Sequence, residues 1–328
     1  MAVIRPRDLL TDGLLGRLGG GTSTDSGVNS HRRDSVGRDI AKLADAGYLK
    51  VALPPEFGGL GCTLRQAACG QRRLARSAPR TAAAVAAHLY WTGAAVDAYR
   101  SGDDSIRWIL LEAARGALFG AGHGEPGNDL VLSSPKSRCE AAGQMGYRFQ
   151  TPGVLSSVTP RWDWAAVHGV TSGGRPDAVL AFAGRGSRCA PAFRVARVLP
   201  AGAPSDVFTT SAAAWGNSLI ASAQYSIARR AFNEALIAYD RRPLDPDEAH
   251  PLDQWPIAEA SLRLDSMKST IAAVTHPWPR VPEEGPDLGG QRLIGIYTMR
   301  HQVADGAAHV YRLLSQLSAE GAATVPAL

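Results

Sequence analysis

Lysine is almost absent from this 328-residue sequence. Lys42, Lys50, Lys136 and Lys268 are the only four, so the formal net charge of +5 rests mainly on arginine. The arginines are scattered. No basic run with interleaved aromatic residues occurs, which argues against nucleic-acid binding. Cysteine is scarce as well. Cys62, Cys69, Cys139 and Cys189 are the only four, and no C-x-x-C pair that would suggest zinc is present. Their sparse use fits reduced thiols. Long apolar runs are also missing. Met1 to Leu10 has no stretch long enough for a signal peptide. Thr81–Ala98 comes nearest to a membrane span, but it carries His88, Tyr90, Thr92 and Asp97 and reads as a buried helix. Internal repeats and sustained heptads do not occur. What remains is 45% hydrophobic and 20% charged, the balance of a globular protein expected in the cytoplasm, with no membrane partner.

The order of local signals is more telling. After a short first helix, Gly19–Asn29 is rich in Gly, Ser and Thr and reads as a mobile loop. Val36, Ile40 and Leu43 recur at helical spacing over Ser35 to Ala46, and Gly47 supplies a stop. Val51 to Gly61 holds two prolines and three glycines and predicts an ordered loop. Thr63-Leu-Arg-Gln66 is a capping-box pattern that opens the next helix. The Ala-rich helix follows, then one capped by Asp104. Strand-like composition marks Tyr147–Gln150, Trp164–Val170, Ala178–Ala183 and Phe193–Leu199, separated by turn residues. Helical patterning returns over about Asn217 to Arg242, Trp255 to Thr275 and Gln291 to Leu317. The second carries Ile257, Ala260, Leu264, Met267, Ile271 and Val274 on one face. The third carries Ile296, Met299, Val303, Ala307, Val310 and Leu314. Such stripes predict bundle core.

Several stretches, taken in this order, resemble the acyl-CoA dehydrogenase superfamily. Leu43-Ala-Asp-Ala-Gly-Tyr48 through Leu53-Pro-Pro-Glu-Phe-Gly-Gly-Leu-Gly61 is similar to the family's N-terminal loop signature. His88 sits where the family often has a histidine. His123-Gly-Glu-Pro-Gly-Asn-Asp129 resembles the turn that enters the family's β-domain. Gly146-Tyr-Arg-Phe149 with Ser156-Ser-Val-Thr-Pro160 resembles its hairpin. Ala228-Arg-Arg-Ala-Phe232, with Tyr239 and Arg242, resembles the first helix of its C-terminal domain. The resemblance implies a multi-domain α+β fold. A helical domain would span 1–115, a shortened central β-barrel 116–205 and a truncated helical bundle 206–328. It implies FAD, with Gly124, Glu125, Ser156, Ser157 and Thr159 on the flavin side and Arg242 on its pyrophosphate. A tight glycine turn can present N–H groups to a ring, and the cofactor then carries the redox chemistry.

Three departures matter. The β-domain lacks strands after Phe193 and the segment that covers flavin in the family. Leu317-Ser-Ala-Glu-Gly-Ala-Ala323 stands where the family has a glycine turn and further helices with a catalytic glutamate. Near Trp215-Gly-Asn217, where some members place the base, there is no carboxylate. Glu234 and Asp240 read as exposed or structural. An uncovered bundle face implies a homo-oligomer or a complex with a homologous subunit. Three readings of function stay open. One is flavin-dependent oxidation of an acyl thioester or polyketide-like small molecule. Another is non-redox chemistry in secondary metabolism, with Trp91, Trp162, Trp164, Trp215, His88, His123 and His168 lining the old flavin pocket. The third is a non-catalytic partner subunit. His88, His123 and Trp215 are the candidates for catalysis, and no metal site is expected.

Overall fold

A computed structural model describes residues 5–18, 28–122, 124–125, 132, 134–142, 146–150, 161–185, 193–202, 206–240, 254–276 and 288–319. The helices before the sheet are α1 (Pro6–Leu9), α2 (Asp12–Leu15), α3 (Val28–Asp45), α4 (Leu64–Ser77), α5 (Pro79–Arg100) and α6 (Arg107–Ala114). Six strands follow: β1 (Phe119–Ala121), β2 (Arg138–Ala141), β3 (Tyr147–Gln150), β4 (Trp164–Thr171), β5 (Asp177–Gly184) and β6 (Phe193–Pro200). Then come α7 (Val207–Asp240), α8 (Gln254–Thr275) and α9 (Leu288–Ala319).

Local chemistry accounts for most of these boundaries. The capping box forms as the sequence suggests. Gln66 N–H donates to Thr63 Oγ1 at 3.3 Å, and Thr63 N–H donates to Gln66 Oε1 at 2.9 Å. Asp103, not Asp104, caps the turn before α6, accepting from Ser105 N–H at 3.0 Å. Pro79 opens α5, where its missing N–H costs nothing. That helix is buried nearly all round, as a helix apolar on every side must be. Helix α7 starts ten residues before the expected Asn217. Asp206 caps it, accepting from Thr209 N–H at 2.8 Å and Thr209 Oγ1 at 2.6 Å. Arg197, within β6, pairs with both Asp206 and Asp103, which fixes the join between sheet and bundle.

The sheet runs β3-β2-β4-β5-β6, with β1 parallel to β4 beside β2. Among the described residues the pairing is an open path. Yet the rings of Phe149 on β3 and Phe193 on β6 lie 5.3 Å apart, so the two ends of the path curl towards each other as in a barrel. Of the expected strands, all four are present to within a residue or two. The expectation missed β1 and β2, which have only three and four residues.

Two hydrophobic cores result. The first joins the N-terminal helices, the sheet and the early part of α7. At its centre Trp91 lies 5.0 Å from Phe182 and 5.9 Å from Phe208, ring to ring, while Trp108 lies 5.2 Å from Trp164. Trp91 is therefore core packing, not a pocket wall, and Trp164 joins the same aromatic group. Trp162 packs against Gly120. The second core is the bundle of α7, α8 and α9. Ala260, Leu264, Met267 and Ile271 of α8, and the whole stripe from Ile296 to Leu314 of α9, are buried as their spacing predicts. No helix among the described residues is long and apolar enough to cross a membrane.

Candidate functional site

Strand β1 runs into a turn whose far end is held from within. Gly122 N–H donates to Ala166 O at 2.8 Å. Gly124 follows, exposed, and a Cβ placed on it would meet nothing within 4 Å. The space where a side chain would stand is therefore open. Glu125 turns the other way, its side chain only 4% exposed. One carboxylate oxygen accepts from Ser137 N–H at 2.6 Å, the other from Lys136 N–H at 2.9 Å. His168 on β4 brings Nε2 to 3.0 Å from Oε1. Burial pushes the His168 pKa down, and the Glu125 charge offsets part of that. Glu125 was expected beside the flavin. Its oxygens instead serve the chain's own donors, so it can act on a ligand only through the turn it anchors. His168, expected as a pocket wall, is fully enclosed in this clamp.

His88 is also inward. Its Nε2–H donates to Leu49 O at 2.8 Å, and Phe119 N–H donates to Nδ1 at 3.3 Å. Both ring nitrogens are thus occupied by backbone, which leaves none for a substrate. The residue ties α5 to the Tyr48–Lys50 turn and to β1, a structural role in place of the expected catalytic one. A proton on Nδ1 would oppose the Phe119 N–H. Burial lowers the His88 pKa from the ordinary 6.5 to about 4. The unfolded chain then binds the proton more readily than the folded one, so stability is full above pH 6.5 and falls as the pH drops towards 4. The slope due to one such group approaches about 1.4 kcal/mol per pH unit. A His88→Gln variant should flatten the fall in urea stability between pH 6.5 and about 5, above the range of most carboxylates. An unchanged slope would show that His88 does not carry it.

The third locus is the crossing of α5 and α7. Ser211, Trp215, Ser218, Ser222 and Ser226 follow one another at three- and four-residue steps along α7 and are all buried. Trp215 packs its ring flat on the backbone of Gly93 in α5. Its Nε1–H donates to Asp97 Oδ2 at 2.8 Å. Ser211 also bonds Asp97, and Arg292 and Arg100 lie close enough to act on its charge. Burial nevertheless raises the Asp97 pKa above the usual carboxylate value. Trp215 is therefore a packed donor, and its partner is the chemically interesting group. Sequence reading passed over Asp97 as one more residue of the Ala-rich helix. The only signal was its place four residues after Gly93, on the face of α5 that meets α7.

His123, Ser156, Ser157, Thr159 and Arg242 lie outside the described residues, so the structure brings together only part of the expected set. Glu234 is exposed and paired with Arg230 Nε at 2.7 Å, and Asp240 is exposed, as expected. Cys62, Cys69 and Cys139 are free thiols, and Cys189 is outside the described residues.

No family model matches the sequence, and no curated protein does. Solved structures do. The nitrososynthase of Micromonospora carbonacea var. africana is 17% identical with a TM-score of 0.70, over 95% of this chain and 85% of that one. KijD3, in complex with FMN and a dTDP-linked amino keto sugar, is 16% identical with a TM-score of 0.63, over 96% and 82%. Dibenzothiophene monooxygenase (TdsC) of Paenibacillus sp. A11-2 is 18% identical with a TM-score of 0.61, over 88% and 80%. Helices, curled mixed sheet and closing bundle thus recur in one order along nearly the whole chain, and its architecture is the acyl-CoA dehydrogenase-like α+β fold.

Proposed function

We propose that this chain is a flavin-dependent oxidoreductase acting on a small organic molecule, with Asp97 as its proton-handling carboxyl. The observation that carries the reading is the near full-length likeness to a nitrososynthase, to a dibenzothiophene monooxygenase (TdsC) and to KijD3, the last two of which were crystallised with FMN. The described residues fit such a cofactor. Gly124 is exposed with no side chain to block a ring, and the Glu125 clamp beside it draws on the Lys136 and Ser137 N–H groups and His168. The hydroxyls of Ser156, Ser157 and Thr159 would complete the flavin side, with Arg242 on the phosphate. Bound flavin supplies the redox chemistry.

The chain's own residues supply position and a proton. Asp97 stands beside Trp215, the place where the family resemblance calls for a base. A carboxyl whose pKa burial raises holds its proton more readily than a solvated one and can still give it up to a base. Trp215 and Ser211 fix its orientation. The named activities of the neighbours favour direct oxidation of a small molecule over dehydrogenation of an acyl thioester. Trp255, Leu262 and Ile294 on the bundle are each about two-thirds exposed or more, which supports association with a second copy.

The test is the visible spectrum of the purified full chain before and after FAD and, separately, FMN are added. A flavin spectrum that stays with the protein through gel filtration is expected. A colourless protein whose melting temperature ignores both flavins would remove the proposal. In the flavin-loaded enzyme, Asp97→Asn should leave flavin affinity unchanged while removing one limb of the pH–rate profile. That limb should lie above the ordinary carboxylate range, because the Asp97 pKa is raised.

A further inference from the structure

A cavity of about 740 Å³ lies between α2, the end of α4 and the middle of α7. Arg72, Arg73 and Arg76 approach it from α4, and Arg229 and Tyr225 from α7. Asp12 is the only carboxylate among its lining residues. Tyr225 is ten residues beyond Trp215, about 15 Å further along α7, so this cavity is separate from the Asp97 locus.

The four guanidinium groups are poorly matched by the protein itself. Arg73 meets Asp12 at 2.7 Å, but the Asp12 side chain is 97% exposed, and such a surface pair is weak and easily exchanged. Arg72 donates to Cys69 Sγ at 2.9 Å, a poor acceptor. Arg229 lies over the ring of Phe232 at 5.7 Å. Neither Arg76 nor Arg229 has a carboxylate partner among the described residues. A helix C-terminus accounts for a cation in the last turn of α4, hence for Arg76. It does not account for Arg229, in the middle of α7. The backbone around the cavity is pinned as well. Ser226 Oγ donates to Arg72 O at 2.6 Å, and Arg230 Nη1 donates to Arg76 O at 3.2 Å, so α4 and α7 are held together at this level.

We infer that this cavity is a binding site for a diphosphate group. Several planar donor forks around one concavity match phosphate oxygens two at a time, which compact lysine heads do not. The concave form and its volume suit a small ligand better than a flat acidic protein surface. Tyr225 offers a ring against which a base could stack, so a nucleoside diphosphate and inorganic pyrophosphate are the two sources to separate.

The full chain, saturated with FMN so that any flavin site is filled, is titrated calorimetrically with inorganic pyrophosphate and with a nucleoside diphosphate at fixed ionic strength. Saturable binding is expected, weakening steeply with added chloride. Arg76→Glu, at an exposed position, and Arg229→Gln, which keeps most of the side-chain stem, should each weaken it about tenfold or more. Tighter binding of the nucleoside form, lost in Tyr225→Leu, would identify a nucleotide. Equal affinity would identify the diphosphate alone. No saturable binding at low salt, or binding that both arginine variants leave unchanged, overturns the inference. So does capture of an acidic protein without diphosphate affinity. Far-ultraviolet circular dichroism and a melting temperature unchanged in the variants show that a loss is not misfolding.

Discussion

Gly93→Ala should destabilise the protein by about 3 kcal/mol or more, a large loss for the addition of one methyl group. The reason is the contact between α5 and α7. A Cβ at Gly93 would overlap the six-membered ring of Trp215, and this ring cannot simply swing aside. Its nitrogen is tied to Asp97, one turn further along the same helix as Gly93. Relief requires either breaking that bond or moving two long helices apart. The expectation has a sharper form as a double-mutant cycle. Trp215→Leu alone leaves Asp97 short of a donor and opens space, so it also destabilises. Gly93→Ala placed in that background should cost much less than it does alone, with a coupling of about 1 kcal/mol or more. Chemical denaturation of the four proteins measures this. Additive losses would mean that the two residues are not in the contact described.

Glu125→Ala carries the second large effect, about 3 to 5 kcal/mol, because it removes a buried, hydrogen-bonded charge. The Lys136 and Ser137 N–H groups lose their acceptor, and His168 loses the carboxylate beside it. Glu125→Gln keeps one oxygen acceptor and should cost clearly less. If the turn presents Gly124 to flavin, the alanine variant should also bind flavin more weakly even where it remains folded. Flavin titration at a temperature well below its melting point reads that effect. An alanine variant with full stability and full flavin affinity would show that the clamp holds nothing of consequence.

The two sites differ in how far they could be read from sequence. Periodic stripes and caps are local, so α4, α8 and α9 were legible, and so were the strands whose β-branched and aromatic residues lie between turns. The first three turns of α7 were not. Val207 to Trp215 is rich in Ala, Ser and Thr and shows no apolar period, and only Asp206 marks its start. Strands β1 and β2 have only three and four residues, and their shared partner β4 is a neighbour that tertiary folding alone supplies. The Glu-Pro-Gly turn could be recognised, yet the inward direction of Glu125 could not, since its partner His168 lies on a distant strand. Asp97 depends on Trp215, 118 residues away. Its raised pKa belongs to an environment that no window of sequence contains.

Helix α7 has a consequence for how the molecule comes apart. Leu219 and Ala223 belong to the first core, and Ala221, Ala228 and Phe232 to the second, all on one uninterrupted helix. Interleaved membership of this kind leaves no position at which one core could melt and leave the other intact. A chain that looks modular in its order of helix, strand and helix should therefore lose both halves together, with α7 as the element whose amides exchange last.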